Sequence, residues 1–181
     1  MEQSSGPTSL RDAPPTLPWT LTGAQSTDAP AEGPEFAVAI DPGQTTGVVV
    51  CTWRDSKSFQ VVLSEEAIWK ERIDVLDRIL RNTLVARVVL VEDFRLYKAF
   101  SKTMVNNRFE AVQVIGNVQA ILWGLSGLMT APIIMLPAHV KQGVQILPEH
   151  AKWFSGRGEH ARDAYKLFRY WWLMRYAAEH A

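Results

Sequence analysis

The feature that most constrains this chain is the order of its apolar runs. Three lie close together, and two more are each preceded by a segment with helical spacing. Residues 36–40 form a short apolar run stopped by Asp41-Pro42-Gly43, the pattern of a strand ending in a turn. Residues 47–54 and 58–64 are rich in β-formers and flank Asp55-Ser56-Lys57, which predicts a hairpin. Ser64 followed by Glu65 and Glu66 reads as a helix start, a cap with acids in the first turn. Trp69, Ile73, Leu76, Leu80 and Leu84 then keep helical spacing. Residues 86–91 are apolar nearly throughout, as in a buried central strand, and end at Glu92-Asp93. A polar, aromatic and basic stretch, 94–108, precedes a helix through Val112, Ile115, Val118 and Leu122, in which Gly116 is expected to allow close packing. Residues 133–136 make a fifth strand, Pro137 opens a short turn or helix to Lys141, and Gly156 and Gly158 mark a loop. A last helix runs from about His160 through Leu167 and Trp171. The order β-β-β-α-β-α-β-α describes an α/β protein: a three-stranded meander, then a helical crossover returning the fourth strand parallel to the first.

The rest of the chain bounds this domain. Six of the ten prolines lie in residues 1–34, among Ser, Thr, Gly and Ala. Such a segment buries too little surface to offset its ordering entropy, so 1–34 is expected to be a disordered tail and 35–181 the folded domain. No apolar run reaches the ~18–20 residues of a membrane helix, and no secretory signal is visible. Cys51 is the only cysteine, which excludes an internal disulfide or cysteine-rich zinc site and fits a reducing, cytoplasmic setting. The zero net charge conceals an asymmetry. Residues 1–93 hold 8 Lys+Arg against 14 Asp+Glu, and residues 94–181 hold 11 against 5, so a polyanion would be gripped by the carboxy-terminal half.

Asp41 and Glu92 each end a buried strand. On parallel neighbours those ends lie about 4.8 Å apart, at the sheet edge where open α/β sheets place their sites. Two such carboxylates repel unless a divalent cation relieves them. Asp93 beside Glu92 leaves the choice between them open; Glu92 is favoured because it directly ends the apolar run. His160 and Asp163, spaced i and i+3, project from one face of the last helix, and Ala164, Leu167 and Trp171 turn that face toward the sheet. Oxygen-rich ligands with one imidazole suit Mg²⁺ or Mn²⁺, and two such ions about 3.5–4 Å apart support phosphodiester hydrolysis. Each residue also has a purely structural reading: Asp41 as a turn former, Glu92 as a solvated strand end, His160 as a cap, and Asp163 as an ion pair with Lys166.

The blocks Asp-Pro-Gly-Gln-Thr-Thr-Gly (41–47), Val-Leu-Val-Glu-Asp-Phe (89–94), Leu-Pro-Ala-His-Val-Lys (136–141) and His-Ala-Arg-Asp-Ala-Tyr-Lys-Leu-Phe (160–168) together resemble RuvC-like Holliday-junction resolvases. The resemblance spans residues 36–175. It implies an RNase H-like fold with a five-stranded mixed sheet of order 3-2-1-4-5 flanked by helices. It also implies a two-metal site from Asp41, Glu92, His160 and Asp163, and a homodimer, without a nucleotide cofactor, that nicks opposed strands of branched DNA. The span from Lys141 to His160 is shorter than in cellular resolvases and more like phage-encoded relatives. Lys141 matches a lysine of the family's fourth block and would neutralise phosphate charge. Arg95, Lys98 and Lys102 alternate with Phe94, Tyr97 and Phe100, a pattern suited to phosphates and an opened base. Tyr97 or Phe100 is the candidate wedge at the junction centre. Arg108, Arg162, Lys166 and Arg169 would extend the phosphate track, and the 112–122 helix is the expected dimer interface. His139, His150 and His180 receive no role. Alternatives are a silent or differently targeted relative acting on flaps or RNA, and an ATP-binding domain of the actin and sugar-kinase type. The second would need two lobes and another phosphate loop.

Overall fold

The computed structural model describes residues 33–68, 74, 77–79, 81, 86–93, 105–124 and 131–176. Five strands form one sheet: β1 (Glu35–Asp41), β2 (Thr45–Trp53), β3 (Phe59–Ile68), β4 (Val88–Asp93) and β5 (Ile133–Pro137). Their order is β3-β2-β1-β4-β5, with β1–β2 and β2–β3 antiparallel and β1–β4 and β4–β5 parallel. The meander and the parallel return expected from the sequence are therefore both present, and the fold is the expected α/β one. Residues 74, 77–79 and 81 are helical within the crossover between β3 and β4. Two longer helices follow, α1 (Val105–Gly124) and α2 (Glu159–Tyr176), with 3₁₀ turns at Ala138–Lys141 and Pro148–Phe154.

Alternation along the central strands divides the core in two, because successive strand side chains face opposite ways. Ala37, Ala39, Val49, Cys51, Val88 and Leu90 face α2 and meet Ala161, Ala164, Tyr165, Leu167, Phe168 and Trp172. Trp53 and Phe59 join this layer, with ring contacts such as Phe59–Phe168 at 4.8 Å. Val38, Ile40, Val48, Val50, Val89 and Val91 face the other way, toward Val114 and Val118 of α1 and Ile79 of the crossover. The α2 face is thus rich in aromatic rings, and the other is aliphatic but for Phe36.

Four local expectations are corrected. Ser64 does not begin a helix: β3 runs on to Ile68, with Ser64 buried opposite Val49. Pairing to β2 overrides the local capping signal. The β2–β3 pairing also slips between Val50 and Cys51, so Val62 is one residue more than β2 matches, a β-bulge. Gly116 is exposed, and among the described residues a Cβ there would meet nothing within 4 Å. α1 starts at Val105, inside the polar, aromatic and basic stretch 94–108 that was expected to precede it. His150 is buried: its Nδ1 lies 2.9 Å from the Tyr165 hydroxyl and its Nε2 3.2 Å from the Phe59 carbonyl. It therefore bridges β3 to α2, a role its sequence neighbours do not reveal. No helix among the described residues is long and apolar enough to cross a membrane.

Candidate active site

Ile40 pairs with Val91 in the parallel ladder between β1 and β4, so the next residues, Asp41 and Glu92, stand side by side where that ladder ends. Lys141 closes the 3₁₀ turn that follows β5, the strand paired with β4. His160 lies in the first turn of α2, and Asp163 begins its second. These five side chains converge. The Lys141 ammonium donates to Asp41 Oδ1 at 3.0 Å, Glu92 Oε2 at 2.5 Å and Asp163 Oδ2 at 2.7 Å. His160 Nδ1 lies 2.7 Å from the second Asp41 oxygen. The ion pair of Asp163 with Lys166 is also present, at 2.8 Å through the other carboxylate oxygen. It accompanies the convergence rather than replacing it.

The electrostatics follow from crowding three carboxylates at a sheet edge. Burial pushes the Asp41 carboxyl up, but hydrogen bonds with His160 and Glu92 and the charge of Lys141 outweigh it and hold Asp41 down at about 2. Glu92 moves the opposite way. Burial and the neighbouring Asp41 push it up to about 8, against the pull of Lys141. One acid stays ionised while its neighbour keeps a proton more readily, as expected for like charges sharing a site. Burial disfavours the Lys141 ammonium, yet Asp41, Asp163 and Glu92 together raise its pKa, and it stays charged. His160 is raised chiefly by its bond to Asp41, against partial burial. The result is an acid-rich cluster built around the half-buried Lys141 ammonium. Among the described residues no three His, Cys, Asp or Glu side chains form a ready-made metal cage; the carboxylates converge on the lysine.

Two glycines and one acid bring α2 to this place. Gly47 of β2 lies directly beneath the first turn of α2, where a Cβ would collide with the His160 carbonyl. Glu66 of β3, opposite Gly47, accepts hydrogen bonds from the amides of Gly158 and Ala161, both at 2.8 Å. A Cβ at Gly158 would strike the same carboxylate. Glu65 pairs with Arg157 at 3.2 Å. Glu66 is a site-building residue that no local pattern reveals: Ser64-Glu65-Glu66 has the signature of a local helix start, but the helix this acid serves is α2.

The expected nucleic-acid contacts separate. Lys141 stands in the cluster, and Lys166 is held on Asp163. Arg162 is exposed, with Nη2 3.4 Å from the Phe154 carbonyl. Arg169 donates to the Gln145 carbonyl. Arg95, Tyr97, Lys98, Phe100 and Lys102 lie outside the described residues, and of Arg108 only the helical backbone is described.

No family model matches the sequence, and no curated protein matches it significantly. Solved structures do. Thermus thermophilus RuvC in complex with a Holliday junction substrate is similar with a TM-score of 0.55 and 15% identity, over 78% of this chain and 95% of that one. Another Thermus thermophilus RuvC structure gives 0.54 at 17% identity, over 78% and 96%. The fowlpox virus resolvase with its substrate Holliday junction DNA gives 0.53 at 11% identity, over 76% and 96%. The chain thus spans nearly the full length of each. Its five-stranded mixed sheet and flanking helices have the RNase H-like fold of RuvC.

Proposed function

We propose that this chain is a divalent-metal-dependent endodeoxyribonuclease that hydrolyses phosphodiester bonds in branched DNA and resolves Holliday junctions by paired nicks. The observation that carries this reading is the convergence of Asp41, Glu92, His160 and Asp163 around Lys141 at the strand ends of a RuvC-like sheet. Junction DNA in the complexes of two similar structures supports the substrate class.

The donor set fits the metal. Three carboxylates and one imidazole are hard, oxygen-rich ligands suited to Mg²⁺ or Mn²⁺. Burial, and after it the neighbouring Asp41, disfavours a negative charge on Glu92, and a divalent cation would offset both. When bound by Asp41, Glu92, His160 and Asp163, a pair of such ions would polarise the scissile phosphodiester and favour attack by water. Lys141 would neutralise phosphate charge at the same edge. Asp41 holds His160 through Nδ1, which fixes the ring's orientation toward the cluster. Arg95, Lys98, Lys102, Arg108, Arg162 and Lys166 would hold the arms, with Tyr97 or Phe100 at the junction centre. A homodimer through α1 would supply the second nick, and the exposed Val112, one turn before the open Gly116, suits that contact.

The test is cleavage of a four-way junction panel with Mg²⁺ or Mn²⁺, beside linear duplex, single-stranded and RNA–DNA hybrid controls. Branched DNA is expected to be nicked. Asp41→Asn and Glu92→Gln are expected to abolish nicking while junction binding is retained. Wild-type protein inert on every branched substrate would sink the proposal.

A further inference from the structure

We propose that Glu66 is a positioning residue for the metal ligands carried by α2; this rests on the nuclease reading above. Both Glu66 oxygens are committed. One accepts the amide of Gly158, the residue before the helix, and the other that of Ala161, in its first turn. These bonds satisfy two amides that a helix start leaves without partners. The acceptor, however, belongs to β3 and not to the helix. A local cap would stabilise α2 wherever it lay, whereas this one also fixes where it lies.

The clamp acts next to the site. Ala161 directly follows His160, whose ring meets Asp41, and Asp163 is two residues further on, within reach of Lys141. Gly47 sets how closely the same turn approaches β2. Glu66 then sets its position along β3, with Arg157 on Glu65 as a second, exposed tie. A first turn released from Glu66 stays packed through Ala161 and Ala164, both fully buried. It loses the polar contacts that align it, and misplacing a reacting group by about 1 Å can cost ~100-fold in rate.

The experiment uses the full chain and its Glu66→Ala, Glu66→Gln and Glu66→Ala/Gly158→Ser variants. It measures binding of Mn²⁺ alone, junction binding without divalent ion, kcat and KM for junction cleavage, and melting temperature. Glu66→Ala is expected to weaken Mn²⁺ about 10–100-fold and lower kcat about 100-fold, with junction binding and KM unchanged. Glu66→Gln, which offers one acceptor in place of two, falls between. Serine at 158 enters the space vacated by Glu66 and accepts from the Ala161 amide as a local cap. It is expected to restore melting temperature but neither Mn²⁺ affinity nor kcat. Recovery of all three would overturn the proposal, because Glu66 would then be only a cap. Glu66→Ala with unchanged Mn²⁺ affinity and kcat would overturn it alone, leaving the nuclease reading intact. Wild-type protein that binds no Mn²⁺ would overturn both.

Discussion

Asp41 and Glu92 stand on paired parallel strands, whereas His160 and Asp163 reach the same place on a helix that must be docked there. The strand-borne pair is located by the ladder itself: once Ile40 and Val91 pair, the separation of the next residues follows from strand spacing. Nothing comparable locates α2. Its approach depends on Gly47 and on polar ties to β3: from Glu66, from Glu65 to Arg157, and from Phe59 through His150 to Tyr165. The strand half of the site is inherited from the fold, and the helix half must be adjusted residue by residue.

Three perturbations sharpen this contrast. The largest is Gly47→Ala, whose methyl enters the backbone of α2. It is expected to abolish junction cleavage and to cost about 1–3 kcal/mol in urea unfolding. Normal cleavage by that variant would show that α2 needs no such approach. Next comes Val118→Ala, fully buried under the opposite face. Losing two methyl groups and leaving a cavity is expected to cost about 2 kcal/mol while kcat holds, since none of the five clustered side chains is carried by α1. A matching fall in kcat would mean the two faces are coupled.

The smallest effect is a pH dependence at His150. Burial holds its pKa below the ordinary 6.5, so folding favours the neutral ring. Its contribution is complete above pH 6.5, the unfolded value, and is lost as pH falls through the depressed folded value. Unfolding at pH 7.5 and pH 5 is expected to show a larger acid loss for wild type than for His150→Gln, which cannot titrate. Equal losses would remove His150 from the ties that respond to pH.

Much of this was legible in the sequence. Asp41 and Glu92 could be found because each ends an apolar run, and a strand end is a local event. His160 and Asp163 could be found as a pair because i, i+3 spacing is also local. What could not be read were contacts spanning about ninety residues. Glu65 and Glu66 carry the right chemistry for a helix start, but the helix they serve is α2, and no local pattern names it. His150 looked isolated for the same reason: it joins Tyr165 to the Phe59 carbonyl, 91 residues away, and no local pattern pairs them.

The extra Val62 in β3 bears on which acid meets that helix. Before the slip, Phe59 and Val61 share the α2 face; beyond it, Ser64 and Glu66 oppose Val49 and Gly47 on that same face. Strict alternation from Phe59 would have turned Glu65 toward α2 instead. The bulge is thus a phase shift of one residue in a period of two. Any count of faces carried through Val61-Val62-Leu63 comes out inverted on the far side, and the choice between two adjacent, chemically identical acids rests on locating a single valine.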